Sequence, residues 1–227
     1  MRGAERDERP AGPRGAAPRR AFLAQCAAAL AALGLPAVAR GDRAPVAVPV
    51  DERWPARLTG AHKVVFQSHE PAEGVALVWA YNFLEAQREA YGLRDADSSI
   101  VVGLQGKAIA MFLDDAMWAK YGMAAATGLT QAGGRNPFRA PGHPMAQPGE
   151  SMLDMLARRG VILLACGNTM KRGASRWVKD RPVTPEVAAA WTAEARAALP
   201  ASVEVVPAMV TTLAMAQERG CRYIYAG

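Results

Sequence analysis

Short apolar runs and helical-spaced apolar residues alternate along the chain from His62 onward. His62 to Gln67 (HKVVFQ) reads as a strand, and Val75 to Tyr91 as a helix. In that helix Val75, Val78, Trp79, Asn82, Phe83 and Ala86 recur at spacings of three and four, which predicts a core-facing stripe. Ser98 to Leu104 is a second strand. Lys107 to Tyr121 is a second helix, with Ile109, Phe112, Leu113, Ala116 and Met117 inward and Gly122 as its stop. Met123 to Gly149 is rich in Gly and Pro and reads as a long loop. Ser151 caps a short helix, Met152 to Arg159, and Val161 to Ala165 is an unbroken apolar strand ending at Cys166 and its loop. Thr184 as N-cap and Pro185 at the first helical position start a helix to about Leu199. Val203 to Val206, the helix Ala208 to Arg219 and the strand Arg222 to Tyr225 complete the chain.

Strands alternating with helices predict an α/β fold: a doubly wound, mostly parallel five-stranded sheet with helices on both faces. Sites in such sheets lie at the carboxyl ends of the strands. Cys166 ends one strand and His69 follows another, so both are expected at that edge. The stretch Cys166-Gly167-Asn168-Thr169-Met170-Lys171 then carries the candidate chemistry. A reactive thiol needs access and positive potential. Asn168 and Thr169 are expected to shape the loop, Lys171 to favour the thiolate, and His69 to orient a ligand or act as base. The competing reading is a buried structural cysteine and a solvated histidine.

Residues 1–39 depart from this pattern. They hold six of the arginines against three acids, half of the net charge of +6. Arg19-Arg20 precede Ala21-Phe22-Leu23, an apolar run to Leu35 and Ala37-Val38-Ala39. This order of charged region, short apolar region and A-x-A site reads as a signal peptide, cleaved between Ala39 and Arg40. The arginine pair resembles a twin-arginine signal, which implies passage through the twin-arginine translocase and a periplasmic location. Residues 40–60 are Pro-rich and read as a linker or wrapping arm, with Trp54 as its anchor and Val46 to Val50 as a candidate edge strand. The domain proper is 61–227, with its long loop at 123–149.

Without residues 1–39 the chain is only mildly basic, with no clustered basic face carrying interleaved aromatics, so nucleic acid is not an expected partner. Cys166 and Cys221 fall at opposite ends of their strands and are expected to remain free thiols. Cys166, His69 and His143 lack metal-ligand spacing, and no nucleotide, haem or nucleophile-elbow motif occurs. No metal and no cofactor is therefore expected.

HKVVFQ, VILLACGNTMKRG, EVVPAMVTTLAMAQERG and CRYIYAG together resemble the DsrE/DsrF-like (YchN-type) family, over about His62 to Gly227. The resemblance is most specific at Ala165 to Lys171, in the form found in exported members. It implies a homotrimer or homohexamer and a role in sulfur metabolism, with sulfane sulfur bound or transferred at a cysteine and a sulfur donor or acceptor protein as partner. YchN-type relatives carry two cysteines three residues apart in this loop. Here they correspond to Cys166 and Thr169, which implies a single-cysteine site. The alternative is a non-enzymatic periplasmic binding or assembly module with a structural cysteine.

Overall fold

The computed structural model describes residues 53–144 and 146–227. The signal-peptide reading, with Arg19, Arg20, Ala39 and Arg40, and the edge strand at 46–50 lie outside the described residues. Five strands, β1 (His62–Ser68), β2 (Ser98–Leu104), β3 (Ile162–Cys166), β4 (Val203–Val206) and β5 (Arg222–Tyr225), form one sheet in the order β4-β3-β2-β1-β5. Every pairing is parallel. The fold is a doubly wound α/β sheet.

The order of the strands dictates the faces. β1 to β4 step across the sheet in one direction, so right-handed crossovers put their helices on one face. The chain then returns from β4 to pair β5 with β1, which sends its helix to the other face. The first face carries Val64, Phe66, Ile100, Val102, Leu104, Leu163 and Ala165 in the larger core. Above it lie α1 (Val75–Tyr91), the 3-10 helix Gly106–Phe112, α2 (Asp115–Lys120), α3 (Met123–Thr127) and α4 (Met152–Arg158). They are joined there by α5 (Gly167–Lys171), α6 (Gly173–Trp177) and α7 (Pro185–Ala197). The second face carries Val65, Val101, Ile162, Leu164, Cys166 and Val206, covered by α8 (Met209–Glu218) and by Trp54 and Leu58 from the approach to β1. Trp54 is fully buried, the anchoring its sequence position suggested.

Three elements differ from the sequence expectation. α1 buries Ala76, Leu77, Ala80 and Leu84, while Trp79 is 39% exposed and Asn82 and Ala86 face solvent. Apolar residues run nearly round this helix. The small alanines allow close approach to the sheet, so the stripe with the larger side chains packs only at its margin, through half-buried Val75, Val78 and Phe83. The expected helix 107–121 is broken at Leu113, which is extended (ψ 152°). Asp114 stops the preceding 3-10 helix and starts α2 afresh, its carboxylate accepting from Met117 N at 2.9 Å. Finally, the segment after Cys166 is not a loop, because α5 and α6 follow β3 directly and bury Met170, Ala174 and Trp177.

The long segment 123–149 contains α3 and a 3-10 turn, Thr130–Ala132. Its anchor is Asn136, fully buried. Asn136 Nδ2 lies within hydrogen-bond distance of the carbonyls of Ala110 (3.2 Å), Met111 (2.9 Å) and Leu113 (2.6 Å), and Oδ1 accepts from Phe138 N (2.9 Å). The backbone break at Leu113 exposes the Met111 and Leu113 carbonyls, and Asn136 satisfies them, while the Ala110 carbonyl also accepts from Leu113 N and Trp118 Nε1.

Candidate functional site

In an open α/β sheet a crevice forms where adjacent strands send their connections to opposite faces. Here that point is between β3 and β4. After Cys166 the chain turns onto the first face as α5, and after Val206 it turns onto the second as α8. Gly167 makes the divergence possible. A Cβ there would lie 2.8 Å from the Val206 carbonyl oxygen, so a larger residue would push the two strand ends apart. Asn168 N donates to the Pro207 carbonyl at 3.1 Å and bridges the crevice.

The crevice opens into a cavity of about 300 Å³. His69, Gln105, Cys166, Asn168, Thr169 and Trp177 are among its lining, with Arg172, Arg176 and the start of α8. Cys166 is 3% exposed and forms part of the floor. Its Sγ accepts a hydrogen bond from Met209 N, 3.4 Å away, in the first turn of α8. The helix reaches this close because β2 offers only Gly103 beneath it, where a Cβ would meet Met209 Sδ at 2.5 Å. Cys166 Sγ thus faces a backbone N–H donor at the N-terminal end of a ten-residue helix.

The ends of β1, β2 and β3 are tied together on the other side of the cavity. Gln105 N donates to the Ser68 carbonyl (3.0 Å), Ala108 N to the His69 carbonyl (3.1 Å) and Gly106 N to Thr169 Oγ1 (3.2 Å). Gly106 has φ 59°, and a Cβ on it would lie 2.6 Å from the His69 imidazole and closer still to its carbonyl oxygen. Only glycine satisfies both the backbone conformation and this approach. Thr169 therefore shapes the site through a backbone contact, and His69 is held at the cavity wall with its ring half exposed. Beside it, Glu70 lies 3.7 Å from His69 Nδ1 and pairs with Lys107 Nζ at 3.1 Å.

The structure brings Cys166, His69, Asn168 and Thr169 to one cavity. Lys171 is exposed and does not line it. With α5 and α6 joined at Arg172, the spacings of three and four from Thr169 to Arg172 and Arg176 bring these residues to the cavity, and Lys171 lies off it. Arg172 and Arg176 are the cations of the site. The sequence contained their spacing, but a stretch read as loop has no helical faces to compare. Among the described residues no Asp or Glu lines the cavity. Neither arginine has a carboxylate partner among the described residues, and a buried Nη1 of Arg176 lacks any acceptor there.

His143 does not line this cavity, and among the described residues no three His, Cys, Asp or Glu side chains converge as a metal centre. Cys221 lies before β5, at the opposite end of its strand. Both cysteines are free and buried, and burial pushes the Cys221 thiol up from its ordinary value. Among the described residues no helix is long and apolar enough to cross a membrane.

Comparison with known proteins gives little further identification. No protein-family model matches the chain, and no curated protein matches it. A solved structure of a protein of unknown function from Methanobacterium thermoautotrophicum is similar at 16% identity, covering 72% of this chain and 98% of its own, with a TM-score of 0.40. A likeness at that level carries no functional argument, so the chemistry of the crevice between β3 and β4 must carry it.

Proposed function

We propose that this chain is an exported, DsrE-like sulfur-handling protein in which Cys166 accepts and holds sulfane sulfur. The observation that carries the reading is the setting of Cys166. It sits at the point of a parallel sheet where ligands bind, on a cavity floor, with Met209 N donating to Sγ and two arginines on the wall. A persulfide anion at Sγ keeps the same N–H donor and the same positive surroundings. His69 stands at the cavity wall to position or protonate a departing group. Thr169, which replaces the second cysteine of the related two-cysteine loops, is occupied by its bond from Gly106 N, so sulfur handed on from Cys166 passes to another molecule.

The test is mass spectrometry of the native protein after exposure to a sulfane donor. The expected result is an added mass of about 32 Da, one sulfur atom, on Cys166 and none on the Cys166→Ser protein. Failure of Cys166 to gain sulfur from any sulfane donor refutes the reading.

A second reading, a non-enzymatic periplasmic binding or assembly module, draws on the 3% exposure of Cys166. It requires a thiol that reacts with a small disulfide reagent only after unfolding, whereas the sulfur reading requires reaction in the folded state. Export through the twin-arginine translocase and assembly as a trimer or hexamer belong to the same proposal. The assembly is supported by an apolar surface on α1 and β5, where Trp79 and Ile224 are exposed beside Phe66.

A further inference from the structure

The charge of the cavity wall is one-sided. Arg172 and Arg176 face the cavity with no carboxylate among its lining residues and no ion pair among the described residues. Two guanidinium groups on one cavity wall offer planar, forked donors suited to the oxygens of an anion. Two residues of this lining carry a buried donor with no acceptor among the described residues. Arg176 Nη1 is buried and unpartnered, and so is the indole Nε1 of Trp177, a cavity-lining residue that is 2% exposed.

The third contribution comes from the backbone. Ala208 is the N-cap of α8 and its side chain cannot cap the helix, so the first-turn amides have no side-chain acceptor from that position. Met209 N is directed at Cys166 Sγ, and Val210, next in the turn, also lines the cavity. An open helix start facing two guanidinium groups is complementary to a compact anion with several oxygens. The volume of about 300 Å³ accommodates a tetrahedral ion with its waters and is small for a nucleotide.

We infer that the cavity is a binding site for a small tetrahedral dianion, held by Arg172, Arg176 and the first turn of α8 beside Cys166. Resting on the sulfur-handling reading, this names the donor class as an inorganic sulfur oxyanion carrying a sulfane sulfur, of which thiosulfate is the simplest. The step balances without an added oxidant or reductant. Cys166 gives up its proton to solvent, and the thiolate attacks the outer sulfur of thiosulfate. A new S–S bond forms to Cys166, the S–S bond of thiosulfate breaks, and sulfite leaves with the bonding electron pair. Cys166 is left as a persulfide anion. The arginines hold the sulfonate oxygens and stabilise sulfite as it departs, while Met209 N remains a donor to the Cys166 sulfur.

Binding is measured by titration calorimetry on the purified full chain with thiosulfate, sulfate and phosphate, and with chloride as the monovalent control. The expected order is dianions above chloride. Arg172→Gln and Arg176→Gln are each expected to weaken thiosulfate at least about tenfold, the effect of losing one charged hydrogen bond. Lys171→Gln, equally close in sequence but off the cavity stripe, is expected to leave binding unchanged. Arg172→Lys, which keeps the charge, separates loss of the site from loss of the fold. Its binding is expected to fall between the parent and Arg172→Gln while both variants keep the parent circular dichroism spectrum.

Cys166→Ser distinguishes the two readings. It is expected to bind thiosulfate like the parent while forming no persulfide and releasing no sulfite. If the parent binds thiosulfate through both arginines but gains no sulfur from any donor, the anion site stands and sulfur handling falls. If Cys166 takes sulfur from a polysulfide but no dianion binds, or Lys171→Gln weakens binding as much as Arg172→Gln, the anion site is refuted and sulfur handling survives. Phosphate bound in preference to every sulfur oxyanion overturns the donor assignment.

Discussion

Replacing Asn136 with alanine removes a fully buried side chain that holds the segment 123–149 against the body of the protein. Nδ2 has two hydrogens and lies near three carbonyls, those of Ala110, Met111 and Leu113 at 3.2, 2.9 and 2.6 Å. The two shorter contacts are the ones its hydrogens can satisfy, and Oδ1 accepts from Phe138 N at 2.9 Å. Alanine leaves two carbonyls and one amide without these partners. A buried hydrogen bond is worth about 1 kcal/mol net, and an orphaned group costs about 1–3 kcal/mol. Some water will enter the space, so a loss of about 3 kcal/mol is expected for the variant. For a body of this size each 1 kcal/mol lowers Tm by roughly 2–4 °C, which places the fall at roughly 6–12 °C. Thermal unfolding followed by circular dichroism measures it, with Asn82→Ala, at an exposed position of α1, as the control. Limited proteolysis supplies a second readout, because cleavage within 123–149 should accelerate at temperatures where the sheet is intact. A Tm fall no larger than that of Asn82→Ala would refute the claim that Asn136 anchors this segment.

Three other expectations follow from particular contacts. Gly173→Ala places a methyl group inside the Trp191 ring, and is expected to destabilise by about 1–3 kcal/mol and to separate α6 from α7, measured by urea unfolding. The Glu85 carboxyl is raised by burial, but hydrogen bonds from Arg88 and Arg159 outweigh this and hold it below its ordinary value of 4.5. Its stabilising contribution is therefore complete above that value and lost as pH falls through the lower folded pKa. Glu85→Gln should leave a shallower acid limb in Tm against pH, and an identical limb would discard the reasoning. Light scattering of the purified protein should give a mass of three or six chains, and Trp79→Glu with Ile224→Glu should lower it. A monomeric parent would end the proposal that α1 and β5 form the contact.

The alternation of strands and helices was legible because each strand is a short apolar run closed by turn residues. The ranges of β4 and β5 agree with the sequence reading, and so does Thr184 as the cap of α7, its hydroxyl accepting from Val187 N. The carboxyl-edge placement of Cys166 and His69 follows from strand direction alone. What was not legible depends on contacts between distant residues. Leu113 to Asp114 interrupts an apolar stripe that looks continuous, since it takes Asn136, over twenty residues later, to satisfy the carbonyls the break exposes. α1 has two apolar stripes, and only the packing against β1 and β2 selects Ala76, Leu77, Ala80 and Leu84. The roles of Arg172 and Arg176 emerge once residues 167–177 are known to be helical. The donor to Cys166 Sγ is a backbone amide, which no residue type announces.

The pairing of β5 with β1 also bears on how the chain comes to be folded. Val64 on β1 faces Arg222 on β5, so one flank of the first strand waits for almost the last residues of the domain. Contacts of such sequence separation are late and slow, because the intervening loop entropy is lost before any bond rewards it. While a ribosome is still making α7 and α8, β1 to β4 can assemble through neighbouring crossovers, but β1 keeps a bare hydrogen-bonding edge. Phe66 lies in register with Ile224 and remains partly unmatched until then. Synthesis of the final strand is thus the step that closes the sheet, and the nascent domain stays open to aggregation, or to a chaperone, until that moment.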